Sequence, residues 1–200
     1  MRQKIVGALE GASKAERPTE KLRMFVVGGS QGARAVSDLV TAAAAAHSAA
    51  GLDFALVHQT GSADLDRIQE CYRMLGLAEH VIVKAFIEDM ASAYAEADLV
   101  VARAGALTLA ELAIAGRPAI LIRLPTAADD HQRKNAAQFA SAGAALVLDQ
   151  GAATPPMSKR VAGSSASFFL GAGKGRKWES RHPRAKGCTM SRAAIHQVRR

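Results

Sequence analysis

Three observations on this chain of 200 residues predict an α/β fold, a parallel sheet covered by helices on both faces. Short apolar runs alternate with longer helical stretches from residue 23 to residue 149. The runs are continuous rather than alternating apolar and polar, as strands buried on both faces should be. The connections between them are helix-sized, which suits parallel rather than hairpin pairing. Length allows one or two domains. With 49% hydrophobic and 22% charged residues the composition is globular, which excludes wholesale disorder and a rod.

Each element has a local reason. Residues 23–27 (RMFVV) read as the first strand, 28–32 (GGSQG) as a loop and 33–50 as an alanine-rich helix. Residues 54–58 (FALVH) form the second strand. The helix at 64–75 carries Leu65, Ile68, Tyr72 and Leu75 at spacings of three and four. Strands follow at 81–84 and 99–102, with a short helix at 89–96 between them. A helix at 108–115 is stopped by Gly116-Arg117-Pro118. A fifth strand at 119–124, a helix at 131–142 stopped by Gly143, and a sixth strand at 145–148 complete the alternation. The pattern is that of a Rossmann-like domain, which binds ligands outside the carboxyl ends of its strands. The loops at 28–32, 58–61, 85–89, 103–108 and 125–132 are therefore the places to look.

Charge divides the chain. Residues 1–150 hold 15 Lys and Arg against 17 Asp and Glu, whereas residues 151–200 hold 11 against 1. The formal net charge of +8 thus belongs to the last quarter, which has no sustained period and reads as an irregular, disordered tail. The expected division is a leader over 1–22, the Rossmann-like domain over 23–149 and the basic tail over 150–200. Cys71 and Cys188 form neither a disulfide framework nor a zinc pattern, and no metal or cofactor is expected. No run approaches the roughly 20 apolar residues of a membrane span.

Three segments carry candidate chemistry. The glycine-rich loop at 28–33 (GGSQGA) opens a helix, where free N–H groups suit an anion. A tight turn with Ser30 as N-cap explains it equally well. Residues 103–111 (RAGALTLAE) supply a second helix start. Here Thr108 and Glu111 have capping-box spacing, and Glu111 on the first turn is alternatively an acceptor for two ribose hydroxyls. Residues 127–135 (AADDHQRKN) place His131, Gln132 and Asn135 on one helical face, with His131 a candidate general base and the two aspartates suited to the helix start. His58 closes the second strand as a structural or rim residue. Phe86 and Met90 serve either as an apolar wall for a flat ring or as core.

In this order and spacing GGSQGA, FIEDM (86–90), Ala97-Asp98, RAGALTLAE and AADDHQRKN resemble glycosyltransferase family 28, the peptidoglycan N-acetylglucosaminyltransferases, over residues 1–149. The resemblance implies the C-terminal half of a GT-B fold and a UDP-N-acetylglucosamine donor. Lipid I would be the acceptor, and lipid II the product, only with an N-terminal domain supplied. That missing domain would hold the catalytic residues, so this chain alone is expected to be inactive. For the intact enzyme the resemblance implies the cytoplasmic face of the plasma membrane. By the same resemblance Gly29, Ser30 and Gln31 lie near the diphosphate, and backbone at Phe86 and Ile87 reads uracil. Gly105, Ala106, Leu107 and Thr108 offer N–H groups to phosphate and sugar, and Glu111 holds the ribose. Gln132 and Asn135 contact the sugar hydroxyls, and Arg2 matches an interdomain linker arginine. Arg123 and Thr126 replace the family's usual Pro and His. A UDP-N-acetylglucosamine 2-epimerase or another UDP-sugar enzyme is the alternative on this fold. The abrupt change after residue 149 suggests a shifted reading frame; a basic tail for nucleic acid or anionic lipid is the other reading, and no nucleic acid is expected.

Overall fold

The computed structural model describes residues 21–28, 33–49, 51–123 and 130–149, with the backbone alone at 130–133. Arg2, Gly29, Ser30, Gln31 and the whole basic tail, with the reading-frame expectation, lie outside the described residues.

Six strands form one sheet in the order β3-β2-β1-β4-β5-β6. They are β1 (Leu22–Val27), β2 (Phe54–Gln59), β3 (Val81–Lys84), β4 (Leu99–Arg103), β5 (Ala119–Arg123) and β6 (Ala145–Asp149). All five pairings are parallel. The helices are α1 (Arg34–Ala49), α2 (Leu65–Met74), α3 (Met90–Glu96), α4 (Ala106–Ala115) and α5 (Asp130–Ser141), with a 3₁₀ turn at Ser62–Asp64. The chain crosses from one half of the sheet to the other between β3 and β4, so the topological switch point lies between β1 and β4.

Strand alternation sorts the core into two layers. Met24 and Val26 of β1, Val101 of β4 and Ile120 of β5 face α1 and α2 through Val36, Val40, Ile68 and Tyr72. Their neighbours Phe25, Val100 and Leu121 face α3, α4 and α5 through Tyr94, Leu109, Leu112 and Phe139. That two-sided demand is why the strands read as unbroken apolar runs.

Polar groups fix the edges. Asp98 accepts from the Arg23 backbone N–H at 2.9 Å and from its guanidinium at 3.1 and 3.3 Å, which locks the start of β1 to β4. Asp89 caps α3, accepting from Ser92 N–H at 3.0 Å. Gly116 ends α4 in the left-handed region at φ 61°, as the Gly-Arg-Pro stop predicts. Arg123 donates from Nε to Asp149 at 2.8 Å, pairing the ends of β5 and β6.

Candidate functional site

The carboxyl edge of the sheet is held together by its own backbone. Gly28 N–H donates to the Gln59 carbonyl at 2.8 Å, Thr60 N–H to Lys84 at 3.0 Å and Gly61 N–H to Ala85 at 3.1 Å. A Cβ on Gly28 would lie 2.4 Å from the Gln59 carbonyl oxygen, so only glycine allows this approach. The end of β1, where the glycine-rich loop begins, is thereby fixed against β2, and β2 against β3.

Across the switch point, Ala104 is fully buried and Gly105 takes an extended conformation (φ −70°, ψ 141°) as the N-cap of α4. The first ladder bond runs from Leu109 N–H to the Gly105 carbonyl at 2.9 Å. The N–H groups of Ala106, Leu107 and Thr108 precede that ladder and face the sheet edge with the positive end of the helix dipole. Leu107 is 51% exposed there.

This start corrects the sequence reading of α4. The helix opens at Ala106, two residues before the expected Thr108, because Gly105 rather than a side-chain cap sets the boundary. Glu111 therefore stands in the second turn, out of reach of the N-cap, and no capping box forms. Its carboxylate instead accepts from the Tyr94 hydroxyl at 3.0 Å. Glu111 is half-buried. Tyr94 is fully buried, and burial first, then the neighbouring carboxylate, pushes its hydroxyl above the ordinary range, so it remains a neutral donor.

The segment after β3 joins the same core layer as α4. β3 stands three strands from β4, roughly 14 Å in the sheet. Ile87 and Met90 nevertheless pack on the core layer that includes Leu109 and Tyr94. Met90 is core in this packing, whereas Phe86 remains 53% exposed. Asn135 is half-buried in the second turn of α5, which packs against α4. Gln132 and His131 lie in the first turn of α5, with side chains outside the description.

His58 proves structural. It is fully buried, and its Nδ1 lies 3.1 Å from the Tyr72 hydroxyl. Burial lowers its pKa to about 4, against a smaller opposite pull from Asp64. Asp64 is itself buried and pairs with Arg67 at 3.0 Å and Arg34 at 3.4 Å. Arg34 opens α1, so this pair ties the turn after β2 to the helix that follows the glycine-rich loop.

Arg103 carries a signal the sequence reading left without a role. It ends β4 beside the switch point, on the α1 side of the sheet by strand alternation. Its Nε is buried and has no hydrogen-bond partner among the described residues. A basic residue closing an otherwise apolar strand, just before a glycine helix start, is the pattern that could have found it. No group of three or more His, Cys, Asp or Glu suited to a metal ion occurs among the described residues. No described helix is long and apolar enough to cross a membrane.

Comparison with known proteins matches this geometry to a family. Residues 23–159 match the Glycosyltransferase family 28 C-terminal domain. The chain is 49% identical over 141 residues to a UDP-N-acetylglucosamine--N-acetylmuramyl-(pentapeptide) pyrophosphoryl-undecaprenol N-acetylglucosamine transferase of Nitratidesulfovibrio vulgaris, covering 70% of this chain and 38% of that protein. A protein of the same name from Sorangium cellulosum is 45% identical over 161 residues, covering 74% and 40%. The chain thus spans about two fifths of these relatives' length. Among solved structures, Acinetobacter baumannii MurG superposes with TM-score 0.73 and 30% identity, over 98% of this chain and 53% of that one. The glycotransferase of kitacinnamycin, at 21% identity and TM-score 0.55, shares the fold.

Proposed function

The chain belongs to glycosyltransferase family 28, as its C-terminal domain, and from that premise we propose that it binds UDP-N-acetylglucosamine as the sugar donor for lipid II synthesis. One observation carries the reading. The start of α4 sets three free N–H groups at the switch point, one helical turn below a carboxylate held by a buried tyrosine. That arrangement offers donors to a diphosphate and an acceptor to a ribose diol within a single element. Phe86 and the Ile87 backbone supply the uracil side, and Asn135 with Gln132 the sugar side. Arg103 adds a cation for the diphosphate, a role supported by its unpaired Nε at the strand end. Ser30 and its neighbours complete the phosphate loop in this proposal.

Transfer needs an acceptor held against the donor, since positioning supplies much of the rate. The relatives are well over twice as long as the matched stretch, and their remaining length is where the lipid acceptor, the membrane surface and the catalytic groups are proposed to reside. Incubation of this chain alone with lipid I and labelled UDP-N-acetylglucosamine is expected to give no lipid II; product formation would refute that part.

Calorimetry with UDP-N-acetylglucosamine tests the donor site itself. Glu111→Ala is expected to weaken binding by roughly tenfold or more, the worth of hydrogen bonds to a charged group. Equal affinity in the variant would remove Glu111 from the site.

A further inference from the structure

We propose that Tyr94 is a positioning residue for nucleotide recognition, holding the Glu111 carboxylate so that both of its oxygens face the two ribose hydroxyls. The inference rests on the donor-site reading above and deepens it.

Glu111 on its own is a poor reader of a diol. Its side chain has three rotatable bonds, and ordering such a chain on binding costs affinity. In this fold that ordering is done before the ligand arrives. The Tyr94 hydroxyl donates to Oε2 at 3.0 Å. The tyrosine is 0% exposed, and its ring packs edge-on against Phe25 of β1, with centroids 5.3 Å apart and planes at 75°. A side chain so enclosed has little freedom to follow the carboxylate; the carboxylate follows it. Three elements therefore converge on one acceptor: β1 sets the ring, α3 carries it and α4 presents the carboxylate.

The lone pairs suffice. An ionised carboxylate offers about four acceptor positions. Tyr94 uses one on Oε2, which leaves the rest of that oxygen and all of Oε1 for two hydroxyl donors. A buried tyrosine hydroxyl also needs a partner for its own sake. The question is whether the bond serves only the core or also the ligand, and ribose discrimination separates the two.

The experiment compares UDP-N-acetylglucosamine with its 2′,3′-dideoxyribose analogue on the unmutated chain, Tyr94→Phe, Glu111→Ala and the double variant, by calorimetry, with circular dichroism as the folding check. Tyr94→Phe is expected to weaken the ribonucleotide about fivefold, the scale of one hydrogen bond, and to leave the dideoxy analogue nearly unchanged. In the Glu111→Ala background the tyrosine change should add nothing. Equal losses for both nucleotides, or additive losses in the double variant, would overturn the proposal and leave Tyr94 a core residue. A second readout needs no variant. The Tyr94 Cζ resonance of the unmutated chain should shift with UDP-N-acetylglucosamine and stay in place with the 2′,3′-dideoxy analogue; an identical response to both would overturn it. If Glu111→Ala binds as tightly as the unmutated chain, the ribose reading itself fails. If that variant weakens and Tyr94→Phe keeps full ribose discrimination, only the positioning role fails.

Discussion

Acid should unfold this domain partly through His58. The imidazole is fully buried against Tyr72, and its pKa falls from 6.5 to about 4 through burial. A group whose folded pKa lies below its unfolded value stabilises the fold fully above the unfolded value. That stability is lost as pH falls through the window from 6.5 to 4, because the unfolded chain binds the proton first. At pH 5 the two values imply a loss of about 2 kcal/mol relative to neutral pH. The facing charged groups are Asp64, its partners Arg67 and Arg34, and Asp38, which also pairs with Arg67. Asp64 keeps its charge through this window, since the Arg67 hydrogen bond lowers its pKa. His47, also lowered by burial, adds in the same direction. With a urea slope of about 2 kcal/mol per molar, the shift is about 1 M in the midpoint between pH 7 and pH 5. Urea unfolding followed by far-ultraviolet circular dichroism measures it. His58→Gln should be less stable at pH 7 yet show a pH dependence flatter by that amount. Parallel pH curves for the two proteins would refute the reasoning.

Gly28→Ala should cost about 1–3 kcal/mol in urea unfolding, since the new Cβ meets a backbone oxygen rather than a side chain that can turn away. It should also weaken donor binding by displacing the start of the glycine-rich loop. Arg103→Met should lower affinity for UDP-N-acetylglucosamine roughly tenfold in calorimetry while affecting uridine much less, with stability unchanged or raised because an unpaired buried nitrogen is removed. A stability loss without an affinity loss would assign Arg103 to packing.

Much of this architecture is legible in the sequence because burial on both faces leaves one pattern. Residues 99–102 are apolar without exception, and β4 forms there, lengthened only by Arg103. Boundaries moved where backbone rather than side chain decides them. The Thr108–Glu111 spacing imitates a capping box, yet the extended Gly105 starts α4 two residues earlier and turns Glu111 into a partner of Tyr94. Residues 64–75 are expected as one helix, and α2 forms there over Leu65–Met74, preceded by a 3₁₀ turn at Ser62–Asp64 that places Asp64 beside Arg34. Tyr94 and His58 carry no local sign of their partners, which stand 17 and 14 residues away. Such contacts exist only once the helices have packed. The Ala97-Asp98 pair belonged to the family pattern without a reason; the lock on Arg23 supplies one.

The order of the strands also sets a schedule for assembly. β1 gains one neighbour from β2, nearby in the chain, but its other neighbour is β4, and the Arg23–Asp98 lock closes a separation of 75 residues. Closing so long a loop is entropically late, and sheets built on such pairings fold slowly. The end of β1 and the start of α4 lie on opposite sides of that seam. A chain that has made β1, β2 and β3 thus holds half of the proposed donor site and lacks the Glu111 carboxylate. Donor binding can act only on the completed crossover, so a nucleotide in the refolding buffer should slow unfolding without speeding the closure that creates its site.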